Sequence, residues 1–107
     1  MSWEIEYRPE ARKELTKLNQ SVYPQIVRGI RKVAQNPLSR QEGGYGEALG
    51  HHNGLDLTGL LKIKFKKPGI RVIYQLKREH ERMVIVVIGI RSDEEVYRVA
   101  AKRKENL

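Results

Sequence analysis

The chain of 107 residues carries 21 Lys and Arg against 13 Asp and Glu, a formal net charge of +8, and 39% hydrophobic residues. That length and apolar content suit a single domain, residues 1–107, with one modest core. The basic excess favours a polyanionic partner, and the absence of cysteine excludes disulfides and thiolate metal sites.

The N-terminus, MSWEIEYRPEARKEL, has acidic residues where a signal peptide carries an apolar run. The longest aliphatic run, MVIVVIGI, is too short to span a bilayer. A cytoplasmic protein with no membrane partner is expected. Trp3, Ile5 and Tyr7 alternate with Glu4, Glu6 and Arg8, the period-two pattern of a half-buried strand. Pro9 ends that strand and suits the first turn of a helix, which Ala11, Leu15 and Leu18 continue. After Asn19-Gln20-Ser21, a second helix is expected with Ser21 as its cap, Pro24 in its first turn and Val22, Ile26, Ile30 and Val33 as its buried stripe. Asn36-Pro37 stops it. The two helices make an αα-hairpin.

Residues 38–60 hold six glycines and read as a long mobile loop. Strands are expected at 61–66, 70–77 and 83–91, joined by Pro68-Gly69 and by the charged REHER turn. Connections this short make them antiparallel. The last strand is apolar on both faces and is expected to be central and covered on both sides. Ser92 and Glu95 form a capping box that opens a final helix. The order is βααβββα, an α+β fold with an antiparallel-rich sheet packed by an N-terminal helical hairpin and a C-terminal helix.

The stretch LKIKFKKPGIRVIYQL sets Lys62, Lys64 and Lys66 on one strand face and Leu61, Ile63 and Phe65 on the other. A simple register around Pro68-Gly69 places Arg71 opposite Lys66. Pro-Gly favours a type II turn, whose twist suits a two-residue hairpin poorly, so a longer loop or bulge is expected. A solvated face accounts for any single lysine. Four cations on one face invite an anion, most naturally phosphate, because like charges opposed on a sheet destabilise it. Arg91 ends the central strand, and Tyr97 lies in the second turn of the final helix, so both fall near this hairpin. As a surface arginine Arg91 would pair with Glu94 or Glu95, and Tyr97 taken alone is a core aromatic.

RNA cleavage through the substrate's own 2′-hydroxyl needs no metal. Lysine and arginine stabilise the charge that develops, and clustered cations lower the pKa of neighbouring Lys and Tyr. His51 and His52 read as solvated loop residues, with acid–base work a minor alternative. Neither they nor His80 complete a metal set.

KIKFKKPGIRVIYQ followed by VVIGIRSDEEVYRVAAKR resembles the RelE branch of the RelE/ParE toxins, the toxin halves of bacterial type II toxin–antitoxin pairs. The resemblance runs the length of the chain in element order and is most specific over residues 61–103. It implies ribosome-dependent cleavage of mRNA in the A site, with contacts to 16S rRNA, a cyclic phosphate and a 5′-hydroxyl as products, and no cofactor or metal. By that resemblance Lys62 and Lys64 bind phosphate, and Lys64 or Tyr97 activates the 2′-hydroxyl. Tyr97 also stacks on a base, Arg71 stabilises the transition state, and Arg91 acts on the leaving group or phosphate. Lys66 and Lys67 are expected as RNA contacts. A cognate acidic antitoxin is the implied partner, with operator DNA bound only through the complex. The 38–60 connection is longer and richer in glycine than in compact RelE members. The alternatives are a ParE-like inhibitor of DNA gyrase, which has no need of this residue set, and a nucleic-acid-binding module without catalysis.

Overall fold

The computed structural model describes residues 2–90 and 92–107. Its elements are β1 (Glu4–Tyr7), α1 (Pro9–Thr16), α2 (Tyr23–Val33), β2 (Glu47–His52), β3 (Leu55–Phe65), β4 (Ile70–Lys77), β5 (Arg82–Gly89) and α3 (Asp93–Lys104). The strands form one sheet in the order β1-β5-β4-β3-β2. β1 runs parallel to β5, and every other neighbouring pair is antiparallel.

The sheet is covered on both faces, as the two-sided apolar pattern of β5 requires. Ala11 and Leu15 from α1 and Ile26, Ile30 and Val33 from α2 pack with Leu61, Val72, Tyr74, Met83, Ile85 and Ile88. On the other face α3 brings Val96, Tyr97 and Ala100 against Leu57, Leu60, Ile73, Val86 and Val87. Neighbouring residues Val86 and Val87 share this second core because the β4–β5 register shifts between Ile73 and Tyr74, which leaves Val86 as the extra residue of a bulge. The carbonyl of Val86 accepts instead from Arg103 Nη1 at 2.9 Å. Arg103 also makes a two-pronged pair with Glu14, and Glu14 Oε1 accepts from the Ile88 amide at 3.0 Å. Beyond the short β1, these two side chains therefore satisfy backbone groups of β5.

Two expectations about local structure are corrected. Ser21 does not cap α2: its amide and hydroxyl both bond Asn19 Oδ1 at 2.9 Å, and Val22 occupies the cap position. Asn19 captures the serine in a local turn before the helix can use it. The glycine-rich stretch is also not a loose loop. Residues 38–46 fold into a compact turn stitched by Tyr45 N to Asn36 O and Gly46 N to Leu38 O. The buried Tyr74 hydroxyl donates to Pro37 O at 2.7 Å, and Arg78 clamps Glu42. A Cβ on Gly46 would lie 2.0 Å from the Tyr74 hydroxyl, so only glycine fits under that bond. β2 and an extended β3 then make a hairpin that turns at Asn53-Gly54, with φ of 48° and 81°. Positive φ at both central residues is the hairpin turn that Asn-Gly favours.

Candidate active site

β3 sorts its side chains by alternation. Leu61, Ile63 and Phe65 join the core under α1 and α2, while Leu60, Lys62 and Lys64 face the α3 side. Lys62 occupies a position where the next residue inward on that face, Leu60, is buried, and it is itself only 8% exposed. A buried ammonium must be paired. Lys62 Nζ donates to the Tyr97 hydroxyl at 2.8 Å and lies 3.6 Å from Glu47 Oε2 and 4.0 Å from Asp93 Oδ2.

The three partners arrive from two elements. Glu47 stands directly across from Lys62 in the β2–β3 ladder. Asp93 and Tyr97 lie four residues apart on α3, so one helix face presents both. Ser92 caps α3 as expected, its Oγ accepting from the Glu95 amide at 3.4 Å, and so orients that first turn.

Arg71 stands opposite Lys64, not Lys66. Four residues, not two, separate the paired ends Phe65 and Ile70, with Gly69 at φ 71°, so the loop is longer than the simple hairpin. Arg71 Nε donates to Asp93 Oδ1, and its Nη1 donates to Gly69 O at 3.0 Å. Lys62, Lys64, Arg71 and Tyr97 are thus gathered at one end of the sheet, Lys62 buried beneath the start of α3 and Lys64 exposed beside it. Lys66 and Lys67 sit exposed in the turn beyond β3. Arg91 lies outside the described residues.

The electrostatics correct one expectation. Burial pulls the Lys62 ammonium down, but the Tyr97 hydrogen bond and the charges of Asp93 and Glu47 outweigh it, and its pKa stands above the ordinary lysine value. The cluster therefore does not make Lys62 a weaker cation, because carboxylates are interleaved with its cations. Burial pushes the Asp93 carboxyl up, and the Arg71 bond with the fields of Lys62, Arg71 and Lys64 more than reverses this, leaving it below its usual value.

Two neighbours of this cluster, Glu47 and Asp93, escape a sequence reading, and a third, His52, is expected in a solvated loop but lies with His51 on β2. The His52 ring meets the Tyr97 ring at 4.9 Å between centroids, tilted by 43°. His51 instead pairs with Asp56 at 3.5 Å. The signal for Glu47 and His52 is Asn53-Gly54, which marks a hairpin and brings the preceding segment alongside β3. Asp93 had a signal only as a first-turn helix acid. Among the described residues, no group of three or more His, Asp or Glu gathers to hold a metal ion. A separate groove of about 400 Å³ opens between α1 and α3, lined by Leu18, Ile88, Val96, Val99 and the Glu14–Arg103 pair. None of the described site residues lines it.

Comparison with known proteins adds four relations. The pattern of the ParE toxins of the parDE type II toxin–antitoxin system matches residues 5–97. An Escherichia coli protein described as a putative RelE-like toxin is 27% identical over 106 residues, covering 96% of this chain and 98% of that one. A double mutant of the E. coli toxin RelE in the free state superposes with a TM-score of 0.74 at 26% identity, over 96% of this chain and 98% of that one. The same mutant bound to a peptide of the antitoxin RelB gives 0.68 at 26% identity, over 94% and 95%.

Proposed function

Because the chain belongs to the ParE toxin family of type II toxin–antitoxin systems and is a RelE-like toxin in sequence and fold, we propose that it is a ribosome-dependent mRNA endonuclease that inhibits translation. The observation that carries the reading is the buried bond from Lys62 Nζ to the Tyr97 hydroxyl at 2.8 Å, beside the directly opposed Lys64 and Arg71. A phenol and three cations converge where a scissile phosphate would lie.

In the proposed reaction the 2′-hydroxyl attacks the adjacent phosphorus, the bond to the leaving 5′-oxygen breaks, and a cyclic phosphate and a 5′-hydroxyl result. Lys64 and Arg71 meet the charge that grows on the phosphorus oxygens. Lys62 stays an ammonium and donates to the Tyr97 oxygen, a bond that serves Tyr97 as a phenol and strengthens if it becomes a phenolate. The proton of the 2′-hydroxyl passes to Lys64 as a neutral amine, with the Tyr97 phenol giving a proton to the leaving 5′-oxygen, or to Tyr97 as a phenolate, with water protonating that oxygen; Arg91 serves the leaving group or phosphate. Lys66 and Lys67 extend the cationic surface along the RNA, and the ribosomal A site with its 16S rRNA presents the strand. No cofactor or metal takes part.

A cognate acidic antitoxin is the proposed silencing partner, with operator DNA bound through the complex; the similar E. coli RelE mutant is found in complex with a peptide of the antitoxin RelB. The charge of +8 favours such a partner. The ParE-type reading, inhibition of DNA gyrase, shares the family but gives the set Lys62, Lys64, Arg71, Arg91 and Tyr97 no catalytic use.

Primer extension on translated mRNA after induction tests the proposal. Ribosome-dependent cuts are expected, and Arg71→Ala should lower cutting about 10²–10³-fold, the loss typical of one charge-stabilising donor. Cutting unchanged in Arg71→Ala and Tyr97→Phe would overturn the site. Gyrase-dependent DNA breaks with intact mRNA would overturn the activity.

A further inference from the structure

The ammonium of Lys62 has three donors, and three oxygens already surround it: Tyr97 Oη at 2.8 Å, Glu47 Oε2 at 3.6 Å and Asp93 Oδ2 at 4.0 Å. The other carboxylate oxygen of Asp93 accepts a hydrogen bond from Arg71 Nε. One carboxylate group thus spans two of the cations that an incoming phosphate needs, in the way that phosphate oxygens would span them. It is half-exposed and sits on the first turn of α3, where the helix N-terminus also favours an anion. A phosphate that approaches both Lys62 and Arg71 meets the like charge of the Asp93 carboxylate between them.

We propose that Asp93, assisted by Glu47, is a built-in competitor for the phosphate in this site. Three cations then face two carboxylates in the free protein, and the residual charge is too small to hold a lone anion firmly. A strand that also engages Lys66 and Lys67 brings enough additional contact to displace the carboxylate. The site thereby discriminates against free phosphate and short nucleotides in favour of an extended, anchored RNA. The depressed pKa of Asp93 is consistent with this, because the carboxylate is charged throughout the neutral range and so always competes.

The proposal rests on phosphate being the anion of this site, and its test is independent of cleavage. Inorganic phosphate and a 2′-deoxy trinucleotide, which cannot be cut, are titrated into the free protein by calorimetry or amide chemical shifts. Asp93→Asn keeps the shape and removes the charge. Phosphate should bind about tenfold more tightly to it, the effect of lifting one close, partly exposed carboxylate from two cations. Glu47→Gln, on the exposed edge strand, should tighten binding by a smaller factor and serves if Asp93→Asn does not fold. Asp93→Glu should restore weak binding. Unchanged or weaker binding in folded Asp93→Asn and Glu47→Gln would overturn competition and make Asp93 a positioning group for Arg71. Failure of the wild type to cut translated mRNA would instead refute the nuclease reading and leave the phosphate result standing.

Discussion

Replacing Tyr97 by phenylalanine removes a single oxygen and, with it, the shortest contact of a buried ammonium. The ring remains in the second core and against His52, so no cavity forms. A hydrogen bond to a charged group contributes about 1.5–3 kcal/mol. Glu47 and Asp93 remain near Lys62, which holds the expected loss at the lower end, about 1.5 kcal/mol. For a domain of this size that lowers the thermal midpoint by roughly 5–10 °C. The pH dependence gives the mechanism. Lys62 has a folded-state pKa raised above its unfolded value of 10.5, so its contribution is fully present below 10.5 and is lost as pH rises through the folded value. The stability gap between wild type and Tyr97→Phe should therefore be flat across neutral pH and close in the alkaline range. Circular dichroism melts and urea titrations at several pH values measure it. A gap below about 0.5 kcal/mol at pH 7 would refute the coupling of Lys62 to Tyr97, as surface substitutions fall within that size.

Glu14→Ala should cost about 2–3 kcal/mol in urea denaturation, because it leaves the partly buried Arg103 guanidinium and the Ile88 amide without their shared acceptor. Gly46→Ala should be worse tolerated than Gly54→Ala by thermal melting. The former drives a methyl into the Tyr74 hydroxyl, while the latter meets open space and pays only for its φ of +81°, about 1 kcal/mol. Acid should weaken the fold through its depressed carboxyls. Asp56 is held at about 2, first by the Thr58 hydrogen bonds, against 3.8 unfolded, and Glu42 is lowered first by its bond from Arg78. Stability from these groups is present above their unfolded values and lost as pH falls from about 4.5 towards 2. Asp56→Asn and Glu42→Gln should flatten that limb of the stability curve.

The legible parts of the fold were those with strong local periodicity. Ile26, Ile30 and Val33 announced α2, and the continuous apolar run of β5 announced a strand covered on both faces. Ser92 and Glu95 announced the start of α3. The β2–β3 hairpin is masked in the sequence by its many glycines, although Asn53-Gly54 is a turn signal and Leu55 and Leu57 alternate with Asp56. What makes residues 38–46 compact is the Tyr74 hydroxyl reaching Pro37 from a strand far along the chain, and no local pattern reports that.

The cationic strand followed from the sequence alone, since alternation is a property of the backbone: Lys62 and Lys64 had to share a face. Their unequal states did not follow. Lys62 is buried and bonded while Lys64 is exposed, because α3 closes over one end of the face and not the other. Register likewise came from tertiary structure: a four-residue loop set Arg71 against Lys64. The acids were the least visible part. Asp93 and Glu47 reach Lys62 from a helix and an edge strand that share no sequence pattern with it. A charge count gives the sum of a site, whereas the packing of elements decides which opposite charges are brought within reach.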